Sequence, residues 1–355
     1  MHAIEKQKSP VQSLAETVLD PHTANFWLQK FNPLWSVSQP LGKIVEIQQT
    51  AADTVSLKIQ VNRHFKMGKA GQHHPVIVEI AGRRYERTYS LTQIDQHHVL
   101  LTVKAVDQGV VSQWLCNEAK SGDVLEFGLP YGDMTAVDQN QAVVLLAAGS
   151  GITPMYSLIK QLEATDKIAT QSVTLLYWVK QQADAAFAEY FETLAEKFEH
   201  FKVHIFHTQQ TPTDARLNAE HLYLIQDVAN STVYVCGPSG FVHTAESIFT
   251  SAKQFKSEAF SLTPIISDET GFVNVTLTKS NKVLAIPKGQ SILASLEQQN
   301  IKPQHGCRMG ICNKCACNKA QGATKNLVNG QENAEPNNLL RICVNTAQTD
   351  LVIDI

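Results

Sequence analysis

Residues 306–317 read Gly-Cys-Arg-Met-Gly-Ile-Cys-Asn-Lys-Cys-Ala-Cys, and one more cysteine, Cys343, stands far downstream. Cys307, Cys312 and Cys315 are separated by four and then two residues, and 27 residues intervene before Cys343. This C-x4-C-x2-C…C spacing is the plant-type arrangement that holds a [2Fe–2S] cluster. Two irons need four thiolates, so three come from one tight loop and the fourth returns from a distant strand. Gly306 and Gly310 let the loop wrap the cluster and aim amide N–H groups at its sulfurs. A structural zinc site would use two CxxC-like pairs, and a disulfide framework belongs to short secreted chains, so neither fits. Cys317 adds a fifth thiol, read as a strand side chain beside the cluster rather than a ligand. Cys116 and Cys236 pair with nothing obvious.

The 355 residues allow two or three domains, each with its own core. Thirty basic against 33 acidic residues give a net charge of −3, which leaves no footprint for nucleic acid. The N-terminus lacks an apolar run of signal-peptide length, and no stretch approaches the roughly 18 apolar residues of a membrane span. A reducing, cytoplasmic compartment is expected, where seven cysteines speak for metal or redox work. Residues 1–38 read as an aromatic-rich extension. Val11 to Leu19 has helix-compatible spacing, Asp20-Pro21 breaks it, and Phe26, Trp27, Phe31, Pro33, Leu34 and Trp35 crowd the segment that follows. These aromatics either pack against the next domain or dock on a protein or membrane surface. Residues 24–35 are the candidate for peripheral contact at the inner face of the membrane.

From residue 39 to 138 the pattern is all-β, with alternating runs at 43–48, 54–61, 75–80, 99–106 and 124–127, and predicts a small antiparallel β-barrel. Within it, Arg87-Thr88-Tyr89-Ser90 sets a cation, a flat ring and a hydroxyl on strand positions suited to a phosphate and a ring cofactor. Gly109-Val110-Val111-Ser112 then opens a helix (112–117) whose N-terminal amides and serine hydroxyl suit a pyrophosphate. From 139 to 264 the pattern alternates between strands (142–148, 173–178, 202–207, 232–236, 258–261) and helices (155–162, 183–198, 241–255), as in a doubly wound parallel α/β sheet. The first turn, Gly149-Ser150-Gly151-Ile152-Thr153-Pro154, and a later one, Cys236-Gly237-Pro238, are placed on opposite sides of a dinucleotide crevice, with Cys236 either facing the nicotinamide or, as an isolated cysteine, packed in the core. Lys180, where a carboxylate would favour NADH, tilts the expected donor toward NADPH, and Arg216 is a second candidate cation. After a linker at 264–270, residues 265–355 predict a hairpin (272–277, 282–286), a helix (291–298), the cysteine loop and a last strand (351–355). The histidine pairs His73-His74 and His97-His98 would diverge in a strand and are expected to hold no metal.

Taken together, the chain resembles the ferredoxin–NADP reductase superfamily joined to a C-terminal plant-type ferredoxin. Arg87 to Ser90 match the flavin-binding RxYS motif, Gly149 to Pro154 the nicotinamide-domain turn, Cys236 to Pro238 the CGP motif, and the four cysteines the ferredoxin pattern. The resemblance implies an FAD barrel, an NAD(P)H-binding α/β domain and a β-grasp [2Fe–2S] domain. It implies that Tyr89 stacks on the isoalloxazine, Ser90 bonds near N5, Arg87 holds the FAD phosphate, and Gly109 to Ser112 hold the pyrophosphate. Thr153 and Cys236 would flank the nicotinamide, and Ser150 and Gly151 would contact its phosphates. Electrons would run from NAD(P)H through FAD to the cluster and on to an oxygen-activating partner. Residues 26–35 with 306–317 further resemble reductases of membrane fatty-acid desaturases, which makes a membrane desaturase or hydroxylase the first expected acceptor. The reductase of a soluble aromatic-ring oxygenase or multicomponent monooxygenase is the second, and a non-catalytic redox sensor or carrier is the reading from another class.

Overall fold

The computed structural model describes residues 21–107, 109–135, 141–210, 216–261, 271–310, 313–328 and 330–355. The helix predicted at 11–19, the linker at 264–270 and Cys312 lie outside them.

Six strands, β1 (Leu41–Ala51), β2 (Thr54–Val61), β3 (His73–Ile80), β4 (Arg83–Gln93), β5 (His98–Lys104) and β6 (Val124–Phe127), close into a barrel in the order β1-β2-β5-β4-β3-β6. Every neighbouring pair is antiparallel, as the alternation predicts. Period-two patterning turns Leu57, Ile59, Val76, Val78, Leu91 and Leu101 inward. Helix α2 (Val110–Asn117) adds Val111 and Leu115 to that core. It starts two residues before the predicted Ser112, because Gly109 takes the extended N-cap conformation.

The second unit is a parallel sheet of β7 (Ala142–Ala148), β8 (Val173–Val179), β9 (Phe201–His207), β10 (Ser231–Pro238) and β11 (Gln254–Ser261), ordered β11-β10-β7-β8-β9. Helices α3 (Ile152–Ala164), α4 (Ala188–Lys197) and α5 (Ser239–Ile248) accompany it. Every residue of β8 is buried, as a strand covered on both faces requires. The strand order reverses at β7 and β10, and the glycine turns sit there. Three predicted helices shift. Pro154 lies in the first turn of α3, where its missing N–H costs nothing. The segment 183–198 is divided by Phe187 at φ +62°, so α4 starts at Ala188. The segment 241–255 ends as helix at Ile248, and residues 254–261 extend the last strand instead.

The third unit holds β12 (Phe272–Leu277), β13 (Lys282–Pro287), helix α6 (Ile292–Gln298), β14 (Ala316–Gln321), β15 (Thr324–Asn326), β16 (Glu332–Asn333), β17 (Asn338–Arg341), β18 (Asn345–Ala347) and β19 (Leu351–Ile353). Its main sheet runs β13-β12-β19-β14-β17, beside a small sheet β16-β15-β18. Ser291 caps α6 by accepting the Ala294 N–H at 3.2 Å, and Ile292, Leu293 and Leu296 pack on Val275, Leu277 and Ile353. A sheet grips one helix, as the β-grasp expectation requires.

Ahead of the barrel, Pro21–Phe31 forms helix α1, starting at the proline that was expected to break a preceding helix. Its aromatics do not pack under the barrel: Phe26, Trp27, Phe31 and, beyond the helix, Trp35 are all exposed. No helix among the described residues is long and apolar enough to cross a membrane.

Candidate functional site

Strand β4 presents Arg87 to Ser90 against β3, with His73 opposite Ser90 and Val76 opposite Arg87. The Arg87 guanidinium donates to the Glu86 carbonyl at 2.7 Å. Burial first, and then the like charge of Arg308, lower its pKa, which is the environment of a cation that an anion would relieve. Burial pushes the Tyr89 phenol up and keeps it neutral. Thr88 Oγ1 lies 2.6 Å from the Tyr131 hydroxyl. Ser90 is buried and its Oγ is 3.2 Å from His73 Nδ1. These features fit a flavin whose phosphate lies at Arg87.

His73 was read only as a poor metal candidate, and Glu258 only as a strand residue. The structure brings both to Ser90. His73 Nε2 is 2.7 Å from Glu258 Oε2 on β11, without the alignment of a hydrogen bond. The His73 and Glu258 side chains are 1% and 8% exposed, so the pair is closed from solvent. The rings of Tyr131 and Phe260 stand edge-on to the imidazole at 5.8 and 5.9 Å. No local pattern could have signalled this contact, which joins the barrel to the last strand of the parallel sheet.

At the mouth of α2, the Ser112 hydroxyl accepts the Val106 N–H at 3.2 Å and donates to the Gly109 carbonyl at 3.2 Å. In this structure the hydroxyl closes the turn that leads into α2. Val110 is exposed and Val111 is buried in the barrel core.

A cavity of about 570 Å³ opens at the C-terminal ends of the parallel strands, lined among others by Gly149, Trp178, Lys180, Asp184, Arg216 and Pro238. Lys180 and Arg216 thus share one cavity, while Asp184 is matched by Lys104 at 3.6 Å. The two glycine turns meet as expected: a Cβ on Gly151 would sit 2.1 Å from the Cys236 carbonyl oxygen. Thr153 Oγ1 donates to the Ser150 carbonyl at 3.2 Å. Cys236 departs from the place that its motif implies. It does not line the cavity but is fully buried in the core beneath α3. Burial, and then the charge of Glu258, push its thiol far up, so it is a neutral packing group. Gly237 closes the turn beside Ala148.

Cys307, Cys315 and Cys343 are all buried, with the Sγ atoms of Cys315 and Cys343 3.1 Å apart. The Met309 N–H donates to Cys307 Sγ at 3.4 Å, the kind of amide contact the loop was expected to make. No three described His, Cys, Asp or Glu residues converge as they would for a single ion. The buried thiols of Cys307, Cys315 and Cys343 are the donor type that a [2Fe–2S] cluster takes. Cys317 lies opposite Leu340 in β14, the strand position expected. Arg308 takes φ +60° and grips Glu297 with two bonds of 2.9 and 2.5 Å. The loop does not stand apart from the barrel: Lys314 forms an ion pair with Glu86, the neighbour of Arg87.

Residues 41–135 match the oxidoreductase FAD-binding domain family, 145–247 the oxidoreductase NAD-binding domain family, and 275–348 the 2Fe-2S iron-sulfur cluster binding domain family. The chain is an electron-transfer oxidoreductase. It uses FAD, a nicotinamide dinucleotide and a [2Fe–2S] cluster, in three domains that follow each other in that order. An NADPH oxidoreductase of Mycobacterium tuberculosis is 27% identical over 97% of this chain and 92% of its own length. Phthalate dioxygenase reductase of Burkholderia cepacia is 27% identical over 81% of this chain and 88% of its own. A solved structure of phthalate dioxygenase reductase shares the fold, with a TM-score of 0.64 at 24% identity over 89% of this chain and 97% of that one.

Proposed function

We propose that this oxidoreductase is the reductase component of an oxygenase, taking electrons from NAD(P)H and delivering them singly through its cluster. The observation that carries the reading is the Glu86–Lys314 pair, which seats the cysteine loop on the strand that bears the flavin motif. Bound FAD would supply the conversion between a two-electron hydride donor and a one-electron cluster. Around it, Arg87 would hold the phosphate, the amides of Gly109, Val110 and Val111 the pyrophosphate, Tyr89 the ring face and Ser90 its N5 edge. Gly149, Ser150, Gly151, Thr153, Gly237 and Pro238 would cradle the dinucleotide, and Cys307, Cys312, Cys315 and Cys343 the irons. The domain limits 39–138, 139–264 and 265–355 belong to the same reading. A relative named for a dioxygenase supports an oxygenase acceptor over the desaturase expected first, which rests on the resemblance of residues 26–35 and 306–317 alone. Anaerobic titration with NADPH and with NADH tests the internal path. Flavin bleaching followed by the reduced-cluster EPR signal is expected, and a flavin that bleaches while the cluster stays oxidised would refute it.

The donor is proposed to be NADPH, through Lys180 and Arg216 in the shared cavity. Replacing both with alanine is expected to raise the KM for NADPH about tenfold or more, since a hydrogen bond to a charged group contributes ~1.5 kcal/mol or more. The KM for NADH should not move. An unchanged KM for NADPH would remove the assignment.

His73 is proposed as the proton holder for the flavin edge: its Nδ1, 3.2 Å from Ser90 Oγ, would exchange a proton through that hydroxyl, with Glu258 beside the ring. His73→Gln is expected to slow flavin-to-cluster transfer by about 100-fold, the lower end of acid–base contributions, and to abolish its solvent isotope effect. A variant with the wild-type rate and isotope effect would show His73 to be packing only.

A further inference from the structure

Helix α1 is inside out. Its exposed stripe carries Phe26, Trp27, Lys30 and Phe31, at successive spacings of one, three and one, which place them on one face. Phe26, Trp27 and Phe31 are 55, 61 and 81% exposed, and Trp35, just beyond the helix, 53%. The face turned to the protein is polar. Asn25 is buried and accepts the Val37 N–H at 2.8 Å, and Gln29 donates to Gln39 at 3.2 Å. Asn62 of the barrel ties the segment down by donating to the carbonyls of Leu34 and Gln39 at 3.1 and 2.9 Å. An amphipathic helix on a globular protein normally buries its apolar stripe, so this orientation marks a surface made to be covered.

The charges nearby decide what covers it. Between Pro21 and Val45, and again between Thr54 and Val78, the chain has no Asp or Glu. The exposed cations in these stretches include Lys30, Arg63, Lys66 and Lys69. Arg63 and His64 line one hollow together with Leu28, Leu34 and Trp35, so the basic loop after β2 borders the aromatic surface. Lys30 Nζ lies 5.2 Å from the Phe26 ring centre, at the edge of the stripe.

We infer that this face is an interfacial anchor for an anionic lipid surface. Its four aromatics would enter the headgroup region, where tryptophan is favoured, and its cations would face lipid phosphates. The helix would lie in the plane of the interface; its 11 residues are far from the ~20 a span needs. This deepens the notion of membrane contact at residues 24–35 and is independent of which acceptor the cluster serves. The cluster titration and the lipid test therefore fail separately.

The test is flotation of the full-length holoenzyme with vesicles of phosphatidylcholine alone or with one part in three phosphatidylglycerol. Partition to the anionic vesicles is expected to be at least about tenfold stronger, since each cation near such a surface contributes about fivefold, and to fall as salt rises. The emission of Trp27 and Trp35 should shift to the blue and be quenched by brominated lipid. The triple variant Phe26→Ser, Trp27→Ser, Phe31→Ser, and separately Arg63→Gln with Lys66→Gln, should each lose binding while keeping NAD(P)H–ferricyanide activity, which confirms folding. Absence of wild-type binding at low salt, equal binding to neutral vesicles, or variants that bind like wild type would each overturn the inference. Concentration-dependent self-association, lost in the triple variant and without vesicle binding, would assign the face to another copy of the chain and overturn it as well.

Discussion

A Cys343→Ser enzyme is expected to reduce ferricyanide with NAD(P)H at close to the wild-type rate and to lose cytochrome c reduction by more than about 100-fold. The expected loss exceeds the 10- to 100-fold that disturbing an outer-shell partner costs, because here the proposed ligand itself is removed. Cys343 is buried with its Sγ 3.1 Å from that of Cys315, so serine would put a poor iron ligand at the closed end of the site. The visible and EPR signals of the cluster should vanish together, while the flavin spectrum persists. Cys317→Ser is the control, since that thiol lies on β14 and is expected to leave the signals intact. A Cys343→Ser protein with a normal cluster spectrum, or a Cys317→Ser protein without one, would show that the ligand set has been misassigned.

Gly151→Ala should have the second largest effect, by a different route. Gly151 has φ −61°, which alanine accepts readily, so no backbone strain is involved. The cost is steric: the new methyl would stand 2.1 Å from the Cys236 carbonyl oxygen and 2.9 Å from the Gly237 nitrogen, both parts of a fixed strand end. Relief requires the two turns to part at the C-terminal ends of β7 and β10, where the dinucleotide is proposed to bind. A destabilisation of about 3 kcal/mol is expected, at the upper end for overpacking. Flavin reduction by NAD(P)H should fall by about 100-fold or more, as displacements of about 1 Å at a reacting centre do. Reduction by dithionite should be unaffected. A variant with wild-type stability and NAD(P)H kinetics would mean that these turns do not form the nucleotide floor.

Much of this architecture was legible because its signals are local. The strands at 54–61, 124–127, 142–148 and 272–277 fall where alternation and apolar runs put them. The cysteine spacing named its cofactor for the same reason, since three of the four cysteines share one loop. What failed was non-local. For Cys236 the motif pointed to the nicotinamide and its isolation to the core, and the parity of β10 turns it with Tyr234 into the core shared with α3. The Ser112 hydroxyl is a local case, closing the turn it sits in. His73 and Glu258 were passed over because their meeting depends on how two domains seat against one another. The outward face of α1 was equally hidden, since periodicity shows that a helix has an apolar stripe but not which way the stripe turns.

The seating of the domains also dictates the order of events at the ribosome. The barrel emerges first, carrying His73, Glu86 and Ser90, yet the partner of His73 lies at Glu258 and that of Glu86 at Lys314, 228 residues after it. Contacts of such long range form late. A nascent chain therefore lacks both contacts through most of its synthesis. The path along which reducing equivalents flow closes only when the last of the three domains has folded, and a half-made enzyme has no assembled route by which to spend them.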